Sequence, residues 1–122
     1  MTCLIASLST GKGTWIHVSK LINEGTWDKV FLVTNMFGKE NFTNTKNAEM
    51  IIIDDNKSLE ELREEIKKGL NGKISDTEIA VNFISGSGKE HMAVLSAILQ
   101  LGLGMRFVAA TDSGVKEVWV IE

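Results

Sequence analysis

A chain of 122 residues can bury one real core but not two, so residues 1–122 are expected to form a single domain. With 43% apolar and 24% charged residues, neither wholesale disorder nor a fibrous repeat fits, and a formal charge of −3 argues against a broad duplex DNA or RNA surface. A focused anion site stays open. The single cysteine, Cys3, allows no intrachain disulfide, and no basic, apolar, cleavable leader opens the chain, so the cytoplasm is the expected compartment.

Apolar runs of strand length alternate with segments of helical period. Cys3–Leu8 is the first run, and a helix from about Thr14 to Glu24 follows, placing Trp15, Val18, Leu21 and Ile22 against a sheet and ending at Gly25. Val30–Thr34 is the second run. The Asn-, Thr- and Gly-rich segment Asn35–Glu49 predicts only a short or irregular helix before the third run, Met50–Ile53. Leu59, Leu62, Ile66 and Leu70 then share one helical stripe, with Ser58 and Glu61 at capping-box spacing. The acidic and basic residues between them read as a solvated face. Ile79–Ile84 is the fourth run. A last helix from Gly88 to Leu101, capped by Ser87 with Glu90, is expected to bury Met92, Leu95, Ile98 and Leu99.

The longest apolar stretch, Met92 to Ala110, is interrupted by Gln100, Gly102, Gly104 and Arg106, which predicts a buried helix and then the fifth strand, Arg106–Ala110, with no membrane span. Thr111–Gly114 is a turn, too short for a parallel crossover, so Val118–Ile121 should return as an antiparallel edge. Near-continuous apolar strands are buried on both faces, as in a parallel sheet under helices. The expected fold is therefore α/β: a Rossmann-like three-layer sandwich of five parallel strands plus an antiparallel C-terminal edge strand.

In the common 3-2-1-4-5 order, strands one and four flank the topological switch point, where ligands bind at the carboxyl edge. Those strands are followed by Ser9, Thr10, Gly11, Lys12 and Gly13 and by Ser85, Gly86, Ser87, Gly88 and Lys89. Each loop offers glycines that open the backbone, hydroxyls, a lysine and the start of a helix whose dipole favours anions. The pairing predicts a phosphate or nucleotide site, although Ser87 is already explained as a cap and glycines suit any tight turn. Walker A spacing is not met around Lys12 or Lys89, and Ile16 breaks a G-x-G-x-x-G pattern.

Other candidates carry less. His17 and His91 lack partners at ligand spacing, so no metal site is expected. Cys3 reads as an inert buried thiol, and Asp54 and Asp55 as turn residues within reach of a ribose. Trp15 alone of the three tryptophans adjoins a loop of interest and could pack on a base. No catalytic triad or acid/base pair can be read.

The run Ile79-Ala80-Val81-Asn82-Phe83-Ile84-Ser85-Gly86-Ser87-Gly88-Lys89, followed by an apolar helix and a closing hairpin, resembles the CARF domain, the CRISPR-associated Rossmann fold. The resemblance spans essentially the whole chain. It implies a homodimer that binds a cyclic oligoadenylate second messenger across its two-fold axis, and in some members a metal-independent ring nuclease. It also implies that Ser9, Thr10 and Gly11 match the strand-one ligand loop and that Ser85, Gly86, Ser87 and Lys89 match the strand-four motif. The order at Ser87 and Gly88 departs from the family pattern, in which glycine and then a hydroxyl residue often precede lysine.

Family members commonly carry an effector domain after the sensor, and none is expected before Glu122, so a separate effector chain, a ligand sink or ligand destruction would have to take its place. If the ring is cut, Lys89 and the Ser87 and Gly88 N–H groups would stabilise charge while Ser9 or Thr10 positions the ribose; no cofactor is implied. The alternative is a mononucleotide or sugar-phosphate binding protein or enzyme that uses the cleft of one subunit. A third reading is a partner-binding subunit whose loops are only turns.

Overall fold

The computed structural model describes residues 2–9, 11–44 and 46–118. The chain runs β1 (Cys3–Leu8), α1 (Trp15–Glu24), β2 (Lys29–Thr34), α2 (Met36–Asn41), β3 (Glu49–Ile52), α3 (Leu59–Leu70), β4 (Glu78–Asn82), α4 (Gly88–Gln100), β5 (Gly104–Thr111) and β6 (Gly114–Glu117). A single 3-10 turn, Lys12–Thr14, leads into α1. The six strands form one sheet in the order β3-β2-β1-β4-β5-β6, parallel throughout except for the β5–β6 hairpin. That architecture is compatible with a Rossmann-like fold.

β1 is central and all six of its residues are buried. Its side chains alternate between two cores, as the two-residue period of a strand requires. Cys3 and Ile5 join Phe31, Val33, Ile79 and Val81 beneath Leu62, Ile66 and Leu70 of α3 and Ala93, Val94, Ala97 and Ile98 of α4. Leu4, Ala6 and Leu8 join Leu32 and Ala80 against Trp15, Val18, Leu21 and Ile22 of α1.

Both capping boxes form. Ser58 and Glu61 cap α3, and Ser87 and Glu90 cap α4, each through a side-chain-to-backbone bond in both directions. A serine cap of this kind contributes about 1 kcal/mol.

The structure corrects the sequence reading at three places. The buried stripe of α4 is Glu90, Ala93, Val94, Ala97 and Ile98, while Met92 and Leu99 are 58% and 63% exposed and Leu95 is half-buried. Small residues let α4 approach the sheet closely, and its larger apolar residues rotate outward. β4 ends at Asn82, so Phe83 and Ile84 belong to the loop that follows. The antiparallel strand is Gly114–Glu117, set close against β5 by the Thr111↔Gly114 pair. Of the strand expected at Val118–Ile121, Val118 follows β6 and residues 119–121 lie outside the described residues.

Among the described residues, the buried polar and charged side chains are Ser7, Ser9, Thr34, Asn35, Asn82, Ser85 and Glu90. All lie at or just beyond the carboxyl ends of β1, β2 and β4. Burying polar groups costs free energy unless they are bonded, so their gathering at one edge marks where the fold departs from a pure core.

Candidate functional site

Adjacency of β1 and β4 brings the loops after them together. The Ser9 amide donates to Ser85 Oγ at 3.1 Å, a buried bond between residues 76 positions apart. Between the loops lies a cleft of about 280 Å³ lined by Ser9, Gly11, Thr14, Ile84, Ser85, Gly86 and Ser87. Five of the residues expected in the two ligand loops therefore share one cleft. Lys12, Gly13, Gly88 and Lys89 flank it, and Thr10 lies outside the described residues. Thr14, at the end of the first loop, and Ile84, before the second, line it as well, although neither is expected as a ligand-binding residue.

Gly86 has φ +100°, a left-handed conformation that disfavours any side chain. A Cβ there would sit 2.8 Å from Glu90 Oε1, 3.2 Å from His91 Nε2 and 3.3 Å from Ser7 Cβ. Gly11, Gly13 and Gly88 are different: a Cβ at any of them would meet nothing within 4 Å. Packing does not explain glycine at those three positions; Gly11 leaves bare backbone in the cleft wall, and Gly13 and Gly88 adjoin its lining residues Thr14 and Ser87.

Glu90 lies behind the cleft, bonded to two of the residues that line it. It is 5% exposed, accepts from the Ser87 amide at 2.7 Å and receives the Ser9 hydroxyl at 3.3 Å. Burial pushes its carboxyl above the usual range; the Ser87 amide opposes that shift, the nearby Asp55 carboxyl reinforces it, and the Ser9 hydroxyl opposes it. Asp55 in turn accepts from Asn35 Nδ2 at 2.7 Å, so polar contacts run from the end of β2 to the start of α4. Ser7 Oγ, buried beside Gly86, has no partner. His91 donates from Nε2 to the Ser85 carbonyl at 2.7 Å and stacks on Phe83 with ring centroids 4.9 Å apart, bracing the loop from behind.

The two lysines are both engaged. Lys89 Nζ donates to the carbonyls of Asp55 (2.9 Å) and Lys57 (2.7 Å), tying the β3–α3 loop to the start of α4. Lys12 Nζ lies 5.3 Å from the Phe37 ring and 6.0 Å from the Trp15 ring. Trp15 is buried against the sheet and donates from Nε1 to the Ser9 carbonyl at 2.6 Å, so its ring is not open to a ligand.

Asp54 does make a turn, accepting from the Asn56 amide at 3.0 Å. With Asp55 it lines a neighbouring cavity of about 500 Å³ that reaches Asn35, Met36 and Phe37. Cys3 is buried in β1 with its thiol pushed up by burial, and His17 is exposed on α1.

Two unpaired donors stand beside the cleft at the start of α4. Ser87 N is taken by Glu90, Glu90 N by Ser87 Oγ, and the His91 amide by the Ser87 carbonyl. The Gly88 and Lys89 amides fall in the first turn, where no helical carbonyl precedes them. An anion at this point would meet two N–H groups and the positive end of a four-turn helix. Among the described residues, no group of three or more His, Cys, Asp or Glu could hold a metal ion, and no helix is long and apolar enough to cross a membrane. Compared with models of known families and with curated proteins, the sequence matches none.

Proposed function

We propose that the cleft between the β1 and β4 loops binds a phosphate-bearing nucleotide. The observation that carries this reading is the Ser9–Ser85 junction, which sets bare backbone from two loops beside the unpaired amides at the start of α4. Ligand pockets commonly hold about 300–1,000 Å³, and this cleft of about 280 Å³ falls just below that range. One copy suits a phosphate with its ribose; a ring of nucleotides needs the same loops presented twice.

The ligand class that combines these features with the CARF resemblance is a cyclic oligoadenylate, bound across a homodimer of three-layer Rossmann-like subunits in cytoplasmic CRISPR-associated signalling. Where the ring is cut, a ribose 2′-oxygen bonds to the adjacent phosphorus, the bond to the 5′-oxygen breaks, and the proton lost from the 2′-hydroxyl is balanced by one gained at the leaving oxygen. In this reading Ser9 orients the ribose. The Gly88 and Lys89 amides stabilise the developing charge in this reading, whereas the Ser87 amide is already occupied. Lys89 acts with two of its protons committed to carbonyls.

Titration with cyclic tri-, tetra- and hexa-adenylate, ATP and AMP, read by thermal shift and calorimetry, tests the reading. One ring per dimer supports it. One ligand per protomer favours the mononucleotide or sugar-phosphate reading, and no stabilisation by any of these ligands removes the phosphate site. Linear products ending in a 2′,3′-cyclic phosphate, formed in the presence of EDTA, would establish cleavage.

A further inference from the structure

We infer that Phe37, flanked by Met36 and Lys12, is the stacking surface for the nucleobase of the ligand whose phosphate occupies the cleft; this rests on the phosphate reading above. Phe37 and Met36 are 38% and 53% exposed, large apolar residues at the carboxyl edge of the sheet. Their position is tightly set. Asn35 Oδ1 caps α2 by accepting from the Gly38 amide at 2.9 Å, and Gly38 packs so closely that a Cβ there would lie 1.8 Å from Thr34 Oγ1 and 3.4 Å from the Leu8 carbonyl. α2 is thereby pressed onto the ends of β1 and β2, beside the first ligand loop.

Trp15 supplies the backing rather than the platform. Its ring lies 5.8 Å from Phe37 and 5.8 Å from Phe42, and its Nε1–H holds the Ser9 carbonyl. One rigid side chain therefore links the aromatic surface to a cleft residue. Lys12 stands over both rings. A cation resting on an exposed ring is held weakly, so a base can replace it, and the displaced ammonium remains on the loop that faces the phosphate.

Phe37 also lines the 500 Å³ cavity, whose wall carries Asp54 and Asn56; Asn35, also in that wall, is buried and committed to Gly38 and Asp55. An aromatic face, a nearby cation and polar groups at the rim together fit a nucleobase better than a plain apolar partner surface, which would not need the cation or the carboxylates.

The test compares AMP with ribose 5-phosphate by calorimetry on wild type, Phe37→Leu and Phe37→Trp, with folding checked by circular dichroism. Base stacking on an aromatic side chain corresponds to roughly 5- to 150-fold in affinity. Wild type and Phe37→Trp should prefer AMP by that factor. Phe37→Leu, which keeps apolar bulk but loses the aromatic face, should bind AMP no better than ribose 5-phosphate, with ribose 5-phosphate affinity unchanged. An AMP preference that survives in Phe37→Leu, or wild-type binding that does not distinguish the two ligands, overturns the stacking surface while leaving the phosphate cleft standing. Failure of AMP, ribose 5-phosphate and cyclic tetra-adenylate alike to bind wild type removes the cleft and the stacking surface together. A change of oligomeric state in Phe37→Leu, without a change in base preference, would assign the patch to a protein partner instead.

Discussion

Two glycines two residues apart should respond to alanine with opposite signs. At Gly88 a Cβ meets nothing within 4 Å, and the residue opens α4. Alanine there removes freedom from the unfolded chain and favours the helix, a gain of about 0.4–1 kcal/mol. At Gly86 the φ of +100° costs an L-residue about 1–2 kcal/mol. The added methyl also crowds Glu90 Oε1 at 2.8 Å and Ser7 Cβ at 3.3 Å, for which overpacking of about 1–3 kcal/mol is typical. Gly86→Ala should therefore lose about 2–5 kcal/mol. Urea denaturation reads the difference directly, and in thermal melts each kcal/mol moves Tm by about 4 °C for a domain of this size. Titration of the same variants with cyclic tetra-adenylate separates fold from function: Gly88→Ala should be as stable as wild type or more so, yet bind the ligand less tightly, because its methyl intrudes where the backbone was bare. Equal destabilisation by both substitutions would refute the steric reasoning, and undiminished binding by Gly88→Ala would refute the proposed place of the phosphate.

Three further outcomes follow from the contacts. Lys89→Met should lose about 1 kcal/mol of stability in urea denaturation through its two carbonyl bonds, while Lys116→Met, on the exposed side of β6, should lose nothing measurable. Glu90, whose carboxyl is raised in the fold, binds its proton more tightly folded than unfolded; stability from this group is present below the ordinary glutamate range and lost as pH rises through the folded value. Glu90→Gln keeps a capping-box residue, so its stability relative to wild type should rise between acidic and neutral pH, and a pH-independent difference would show that ionisation at this site is not opposed. Cys3, buried and with its thiol pushed up, should react with a thiol reagent only at the rate of unfolding or opening, and rapid labelling of the native protein would contradict its burial.

The strands and both capping boxes were legible because they depend on local composition, continuous apolar runs and Ser followed three residues later by Glu, while the strand order followed the common topology of such sheets. The cleft was legible for the same reason, since glycine and hydroxyl residues cluster directly after β1 and β4. The buried face of α4 was not. Met92 and Leu99 are more hydrophobic than Ala93 and Ala97, yet close packing selects the small side chains, and composition alone does not reveal that choice. Glu90 was legible only as half of a cap. Its second contact, to Ser9, joins residues 81 positions apart and exists only once the sheet has formed. Lys89 was read as a free cation because sequence could not show the Asp55 and Lys57 carbonyls folding over it. Phe37 fell in the segment with the weakest pattern, where a short helix was expected but no face could be assigned.

The capping box of α4 couples the stability of the fold to the chemistry of the cleft. Glu90 must stay near the Ser87 amide to cap the helix, and the same carboxylate receives the Ser9 hydroxyl from the opposite wall. A negative charge so close to a phosphate would oppose binding if it were free. Burial raises it against the opposing pull of its two donors, so it is more readily neutralised than an exposed carboxylate, and an arriving phosphate would raise it further. Ligand binding and proton uptake are therefore linked at one residue: affinity for a phosphate should fall as pH rises through the ligand-bound value of Glu90, and Glu90→Gln should flatten that dependence while leaving the cap in place.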